Sequence, residues 1–112
     1  MSQYLTKMTL TTQAWAALVE EPQDRSKLIK PMFDALGLKL LDYWFALDQG
    51  AIYCHYEGPD NLINSLAMEM AVLGGGTVAY AEGTRLLTAT EAVEAMKKAK
   101  SLGYKPVIPA KK

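Results

Sequence analysis

The stretch that decides the fold is Thr77–Leu87 (TVAYAEGTRLL), taken with the residues that follow it. Its β-branched and aromatic residues are typical of a strand. The next four residues, Thr88-Ala89-Thr90-Glu91, have the spacing of a capping box, in which a threonine and a glutamate satisfy free amides at a helix start, and either Thr88 or Thr90 is expected to start the helix. The segment therefore predicts a last strand that passes directly into a short amphipathic helix, which closes on Leu102–Pro106 (LGYKP).

The upstream chain predicts three further strands and two further helical regions. The predicted strands are Tyr4–Leu10, Leu38–Leu47 and Ala51–Glu57. The first helical region consists of two helices, Gln13–Glu20 and Leu28–Leu36, and the second runs from Asp60 or Asn61 to Leu73. Asp48-Gln49-Gly50 supplies a tight turn between the second and third strands, which indicates an antiparallel hairpin. The order predicts an α+β chain with a ferredoxin-like βαββαβ core, an additional C-terminal helix, and helices on one face of the sheet.

Local signals mark the helix ends. Thr11 or Thr12 can cap the first helix, and Pro22 ends it because proline lacks an amide hydrogen. Gly37 suits the position after a helix, whereas Pro31 predicts a kink or a restart. The buried face of the helix before Gly74-Gly75-Gly76 is expected to carry Leu62, Ile63, Leu66, Met70 and Leu73.

The length of 112 residues indicates one domain, with a core in residues 1–101 and an extended tail in residues 102–112. We expect this tail, which contains Pro106 and Pro109, to lie across its own subunit or a partner's. The strand Leu38–Leu47 carries large apolar groups at both odd and even positions, so both of its faces are expected to be buried. This pattern predicts a homodimer in which two open sheet faces pack together.

Charge and composition exclude several classes of partner. Twelve basic and twelve acidic residues cancel, so no long-range field favours nucleic acid or an anionic membrane. No apolar run approaches the roughly 20 residues that cross a bilayer. The single cysteine, Cys54, cannot form an internal disulfide, and the chain opens without a charged segment followed by an apolar run, so a cytoplasmic location is expected.

Three short segments near the C-terminus carry a family resemblance: Thr90–Val93, Met96–Ala99 and Gly103–Pro106. With the order of elements, they make the chain similar to the GYD-domain proteins, over Tyr4–Pro106. The Gly-Tyr-Asp element of that family would fall near Leu47–Ala51, where this chain has Asp48-Gln49-Gly50. The resemblance implies a dimeric α+β barrel, a group that includes monooxygenases, polyketide cyclases, heme-degrading enzymes and members of no known activity.

His55 and Tyr53 are the candidate catalytic residues. His55 is the only histidine, and imidazole transfers protons near neutrality. Residue parity places it on one strand face with Ala51, Tyr53 and Glu57, and places Cys54 on the other. A hydrogen-bonded structural role is the competing interpretation for His55, and a small buried hydrophobe is the expected state of Cys54.

Four aromatic residues are candidate ligand contacts: Tyr4, Tyr43, Trp44 and Tyr80. They can line a space between sheet and helices for a small apolar or aromatic metabolite, although core and dimer packing would use the same residue types. A small-molecule binding protein is therefore the first hypothesis. A cofactor-independent cyclase, isomerase or monooxygenase, with His55 as acid/base and Tyr53 or Tyr80 orienting the substrate, is the second, and a structural assembly protein is the third.

The sequence contains no cofactor motif and no metal-ligand spacing. A structural zinc site needs about four cysteine or histidine ligands, and the chain has one of each. The Gly74-Gly75-Gly76 run ends a predicted helix and precedes a strand, which is the reverse of the order in a phosphate-binding loop. No cofactor and no metal are therefore expected.

Overall fold

A computed structural model describes residues 1–109, which form a four-stranded antiparallel sheet and four helices. The elements in chain order are β1 (Ser2–Leu10), α1 (Thr12–Glu20), α2 (Arg25–Ala35), β2 (Lys39–Ala46), β3 (Ala51–Gly58), α3 (Leu62–Gly74), β4 (Val78–Leu86) and α4 (Ala89–Ser101). The strand order across the sheet is β2-β3-β1-β4, which is compatible with a ferredoxin-like fold. The predicted α+β class is confirmed at this level.

Capping side chains fix where the helices begin. The Thr11 hydroxyl accepts a hydrogen bond from the Ala14 amide at 3.1 Å, and Asn61 caps α3 through its side-chain oxygen. Pro22 lies between α1 and α2, as predicted, and Asp24 caps the second of these helices. Of the two outcomes expected at Pro31, the restart was wrong, because α2 runs through this exposed proline as one helix, and the kink stays a prediction. A proline inside a helix removes one intrahelical hydrogen bond, and the helical turns before and after Pro31 continue in α2.

The two central strands alternate cleanly between the two faces of the sheet. Tyr4, Thr6 and Met8 of β1 are buried beneath the helices, and so are the even-numbered residues of β3 from Ile52 to Tyr56. The odd-numbered residues of both strands point to the opposite side, here called the open face. The hairpin between β2 and β3 closes through residues 47–50, where Asp48 and Gly50 have positive φ angles of 67° and 61°.

A bulge in β2 reverses the parity expected for this strand. Leu40 pairs with Tyr56 and Asp42 pairs with His55, so Leu41 is an extra residue between two consecutive pairs. After the bulge, Tyr43 and Phe45 share the helix-covered side with Leu40, whereas Trp44 lies on the open face with Asp42. The strict alternation used for β2 was therefore wrong, because one extra residue moves every later side chain to the other face.

The core lies between the sheet and the helices α2 and α3. Its largest fully buried side chains include Tyr56, Phe33 and Met68. The Tyr56 ring stacks on Tyr4 at a centroid distance of 5.0 Å and contacts the Phe33 ring at 5.1 Å. These contacts tie β1 and β3 to α2, which packs on β2, while α3 packs on β4.

The face of α3 that was expected to be buried is exposed. Met68 is fully buried and Val72 is partly buried, so these residues form the side that meets the sheet. The residues predicted for burial have exposed fractions from 40% to 79%: Leu62, Ile63, Leu66, Met70 and Leu73. The prediction was wrong because α3 is apolar on two sides, and helical spacing alone does not say which side meets the sheet.

The C-terminal helix α4 projects from the sheet. Its N-cap Thr88 forms the predicted capping box with Glu91, and none of the residues of α4 is buried. Residues 103–109 that follow have no regular secondary structure and are all exposed. The last part of the predicted tail, residues 110–112, lies outside the described residues.

Candidate functional site

A largely apolar cavity of about 400 Å³ opens between the sheet and the helices α1, α2 and α3. Its walls come from all four strands and from α1, α2 and α3, with Ala14 and Leu18 from α1, Met32 and Phe33 from α2, and Ile52 from β3 among them. Small-molecule sites in proteins are clefts of roughly 300 to 1,000 Å³ with mainly apolar walls. The cavity is therefore large enough for a molecule of about ten heavy atoms or more.

Few polar side chains reach this cavity. Tyr43 contributes a phenol, Thr77 a hydroxyl, and Gln23 an amide, and Arg25 is the one charged lining residue in the part of the chain that the structure describes. Arg25 is exposed and begins α2, and its Nη1 atom donates to Oε1 of Gln23 at 3.4 Å. The cavity therefore combines an apolar interior with a cationic group at its edge.

Tyr43 stays protonated over the whole physiological range. Burial raises the pKa of its phenol to about 12, because the charged phenolate would lose its hydration. Its ring packs edge-on against Phe45 at 5.8 Å, and Phe45 contacts Trp15 of α1 at 5.9 Å. The Tyr43 hydroxyl can therefore donate a hydrogen bond to a ligand in the cavity.

The structure divides the four candidate ligand residues between the two sides of the sheet. Tyr43 lines the main cavity, and Tyr4 lines a smaller space of about 210 Å³ between α3 and β4. Trp44 and Tyr80 lie on the open face, where they are 53% and 58% exposed. These four residues do not form one site within the described chain.

His55 lies on the open face in a network of polar side chains. Its Nδ1 atom is 3.1 Å from Oδ2 of Asp42, and its Nε2 atom is 2.9 Å from Oε1 of Gln3. Gln3 in turn donates from Nε2 to the Glu57 carboxylate at 2.9 Å. Both ring nitrogens of His55 therefore face acceptors, and both contacts form together when each nitrogen carries a hydrogen. The network joins β2, β3 and β1 across the open face.

Tyr53 and His55 share the open face, as their parity predicts. The Tyr53 hydroxyl donates to Oε1 of Gln49 at 2.8 Å, so it is directed towards the hairpin turn. The structure thus brings His55 together with Asp42 and Gln3, and it pairs Tyr53 with Gln49. The main cavity is on the opposite side of the sheet from both candidate catalytic residues.

Cys54 is fully buried on the core side of β3, as predicted. Burial raises the pKa of its thiol to about 12, so the nucleophilic thiolate is scarce at neutral pH. Its side chain points away from His55, which is the next residue in the strand. Cys54 therefore acts as a small core residue.

A second polar cluster lies between α3 and β4. Arg85 donates to the Ser2 hydroxyl at 2.8 Å, approaches Asp60 at 3.6 Å, and places its guanidinium carbon 5.7 Å from the centre of the Tyr4 ring. The buried hydroxyls of Thr6 and Ser65 lie nearby, beside the Tyr56 phenol. Buried hydroxyls of this kind are commonly bonded to water.

Gln23 and Arg25 line the cavity but were not predicted as site residues. The signal in the sequence was their position between Pro22 and a helical stripe, because Gln23 precedes α2, Arg25 begins it, and the next turns supply Ile29, Met32 and Phe33 to the cavity. The described chain contains no group of three or more histidine, cysteine, aspartate or glutamate residues arranged to hold a metal ion. Within residues 1–109, no helix has the length and apolar character to span a membrane.

Comparison of this chain with family models, with curated proteins and with solved structures gives no match.

Proposed function

We propose that this protein binds a small, mainly apolar molecule in the cavity between the sheet and α1, α2 and α3. The observation that carries the proposal is the cavity itself, about 400 Å³ in volume and lined chiefly by aliphatic and aromatic side chains. A ligand in this cleft covers apolar side chains that otherwise contact water, and burial of apolar surface stabilises by about 25 cal/mol per Å².

The polar groups of the cavity favour a ligand with an acidic head group. Arg25 offers a guanidinium at the edge, and the neutral Tyr43 hydroxyl offers a hydrogen-bond donor. A carboxylate bound by Arg25 leaves the apolar part of the ligand among Leu18, Ile29 and Met32. The ligand class is therefore a medium-length fatty acid or an aromatic carboxylic acid.

The first test measures the binding of decanoate and of 1-decanol by titration calorimetry. Ala71→Phe places a large side chain at a lining position of α3 and should abolish binding of both probes. Ala67→Phe, at an exposed position of the same helix that does not line the cavity, is the matched control. Equal binding by the two variants, or no binding of either probe to the wild type, would overturn the proposal.

The second test measures how much the interaction between Arg25 and the carboxylate of the ligand contributes to affinity. Arg25→Gln should weaken decanoate about fivefold, as expected for loss of an exposed charge pair worth about 1 kcal/mol. The affinity for 1-decanol should not change. Lys27→Gln, two residues further along α2, removes an exposed charge that does not line the cavity and should leave both affinities unchanged.

An enzymatic role for His55 is the second candidate, and one observation favours it: the Asp42 carboxylate holds the imidazole in a fixed orientation. Tyr53 is near it on the same face. Because His55 is the only histidine, its ring protons give a single set of NMR signals. A ligand confined to the main cavity should leave these signals unchanged, whereas a substrate handled by His55 should shift them.

Membership of the GYD-domain family and a homodimer through the open face remain proposals. The antiparallel βαββαβ core supports the first. For the second, Trp44 and Tyr80 are more than half exposed on the open face, although the Asp42–His55–Gln3 network places polar groups across the same surface. A cytoplasmic location, expected from the lone cysteine, is likewise a proposal.

A further inference from the structure

The C-terminal segment of residues 89–109, here called the arm, exposes many large apolar side chains. Six of them have exposed fractions between 45% and 90%: Val93, Met96, Leu102, Tyr104, Val107 and Ile108. The helix α4 within the arm is well specified, since it has a capping box and lysines in its last turn, yet it buries no residue. A short helix in water gains most of its stability from packing of its apolar side, so this side requires a partner.

The arm is not packed against its own core, since α4 buries no residue and residues 103–109 are exposed. Only Leu87 lies between the end of β4 and the N-cap Thr88, which has an extended backbone with ψ of 162°. The molecule is elongated as a result, with extents of 59 × 41 × 22 Å. Its radius of gyration is 18.7 Å, against about 13 Å for a compact chain of this length.

The exposed side of α3, here called the α3 stripe, is a second apolar surface without a partner. It consists of Leu62, Ile63, Leu66, Met70 and Leu73, and its residues span three turns. The helices α3 and α4 each contain 13 residues, so they have equal lengths of roughly 20 Å. The only charged residue of α3 is Glu69, whereas the last turns of α4 carry Lys97, Lys98 and Lys100.

We propose that the arm of one copy of this chain packs on the α3 stripe of a second copy, and that the second copy returns the same contact. Each copy carries one arm and one α3 stripe. A dimer with a two-fold axis therefore pairs both arms with both stripes. A stable interface takes about 800 Å² from each partner, and in the reciprocal contact each copy contributes both the exposed apolar side chains of its arm and those of its α3 stripe. The contact is separate from the cavity ligand and from the open face.

The test measures the mass of the full-length protein by sedimentation and light scattering. The wild type should be a dimer, and Leu66→Glu and Met96→Glu should each weaken the dimer at least about tenfold, because each places a charge in an apolar contact. Both side chains are exposed in the single copy, so the fold should survive, as circular dichroism will show. Val19→Glu, at an 80% exposed apolar residue of α1 outside both surfaces, is the matched control and should leave the mass unchanged.

Mixing the two variants identifies the reciprocal contact. A copy with Leu66→Glu keeps an intact arm, and a copy with Met96→Glu keeps an intact α3 stripe, so one unmodified contact can form between them. The mixture should therefore recover dimer that neither variant forms alone. A monomeric wild type would overturn the proposal, and so would a dimer that resists both variants but is lost on Trp44→Lys, which alters the open face.

Discussion

Gly58, the last residue of β3, lies against Leu38 where the chain enters β2. A Cβ atom at this position would come within 2.5 Å of Cδ2 of Leu38 and within 3.4 Å of the Gly37 carbonyl oxygen. Leu38 is only 3% exposed, so its side chain has little room to move. We expect Gly58→Ala to lower the free energy of unfolding by about 1 to 3 kcal/mol, measured by urea denaturation.

Gly74 provides the matched control for this substitution. It ends α3, is exposed, and a Cβ atom there would meet nothing within 4 Å. Gly74→Ala should therefore raise the free energy of unfolding slightly, by about 0.4 to 1 kcal/mol, since alanine restricts the unfolded chain. Equal effects of the two substitutions would contradict the tight packing inferred at Gly58.

Tyr43 gives the protein a dependence on alkaline pH. Its pKa is raised from 10.0 to about 12, mainly by burial, so the folded state holds the proton more tightly than the unfolded state. The stabilisation is complete below about pH 10 and is lost as the pH rises towards about 12. Tyr43→Phe should therefore show a shallower loss of stability between these pH values, measured by urea unfolding at several pH values.

Cys54 acts in the same direction, because burial raises its pKa from 9.0 to about 12. Combining Cys54→Ala with Tyr43→Phe removes both groups and should flatten the alkaline decline further. A decline in Tyr43→Phe as steep as in the wild type would show that the phenol is equally hydrated in the folded and unfolded chains.

The capping box at the start of α4 is a local sequence signal whose contribution to helix stability can be measured. The Thr88 hydroxyl accepts from the Glu91 amide at 3.1 Å, and the Thr88 amide donates to the Glu91 carboxylate at 3.0 Å. These bonds also lower the pKa of Glu91. We expect Thr88→Ala to destabilise α4 by about 1 kcal/mol and to reduce the helical signal in circular dichroism.

Thr90→Ala is the control, since Thr90 is the same residue type inside the helix and makes no capping bond. It should retain or slightly increase the helical signal, because alanine has the higher helix propensity. A larger loss of helix in Thr90→Ala than in Thr88→Ala would contradict the assigned cap.

Local signals predicted most helix starts to within two residues, whereas surfaces that depend on distant residues were not predicted. The sequence offered Thr11 or Thr12, Asp60 or Asn61, and Thr88 or Thr90 as caps. The structure uses Thr11, Asn61 and Thr88, and a cap could be predicted because it involves residues within one turn. The cap of α2, Asp24, was not predicted. The bulge at Leu41 left no signal, since it is defined by the pairing of β2 with β3. The buried side of α3 was missed for a related reason: only the position of the sheet distinguishes Met68 from Leu66.

The candidate site shows the same division. Residue parity placed His55 and Tyr53 on one face, because alternation within β3 is a local property. The bonds from His55 to Asp42 and Gln3 join residues 13 and 52 positions apart in the chain, and the sequence contains no trace of them. The cavity likewise depends on how α1, α2 and α3 sit over the sheet, which is why Arg25 and Gln23 were missed.

At the scale of the whole molecule, the apolar surface is divided between a covered side and two unpartnered helix faces. The sheet, α2 and α3 pack around a core with fully buried Phe33, Tyr56 and Met68. The α3 stripe and the arm lie outside this core, and the elongated shape follows from the arm. Stability of the core and stability of the assembly should therefore respond to different changes.

This separation predicts how the melting temperature depends on protein concentration. In a dimer, association adds free energy by mass action, so a tenfold rise in concentration should raise the melting temperature of the full chain by about 3 °C. A chain that ends at Leu87 lacks the arm but keeps every strand and every fully buried side chain. It should still unfold cooperatively, at a temperature that does not change with concentration, as measured by scanning calorimetry. If the shortened chain kept the concentration dependence, the subunits would be held together elsewhere, and the open face with Trp44 and Tyr80 would be the surface to alter next.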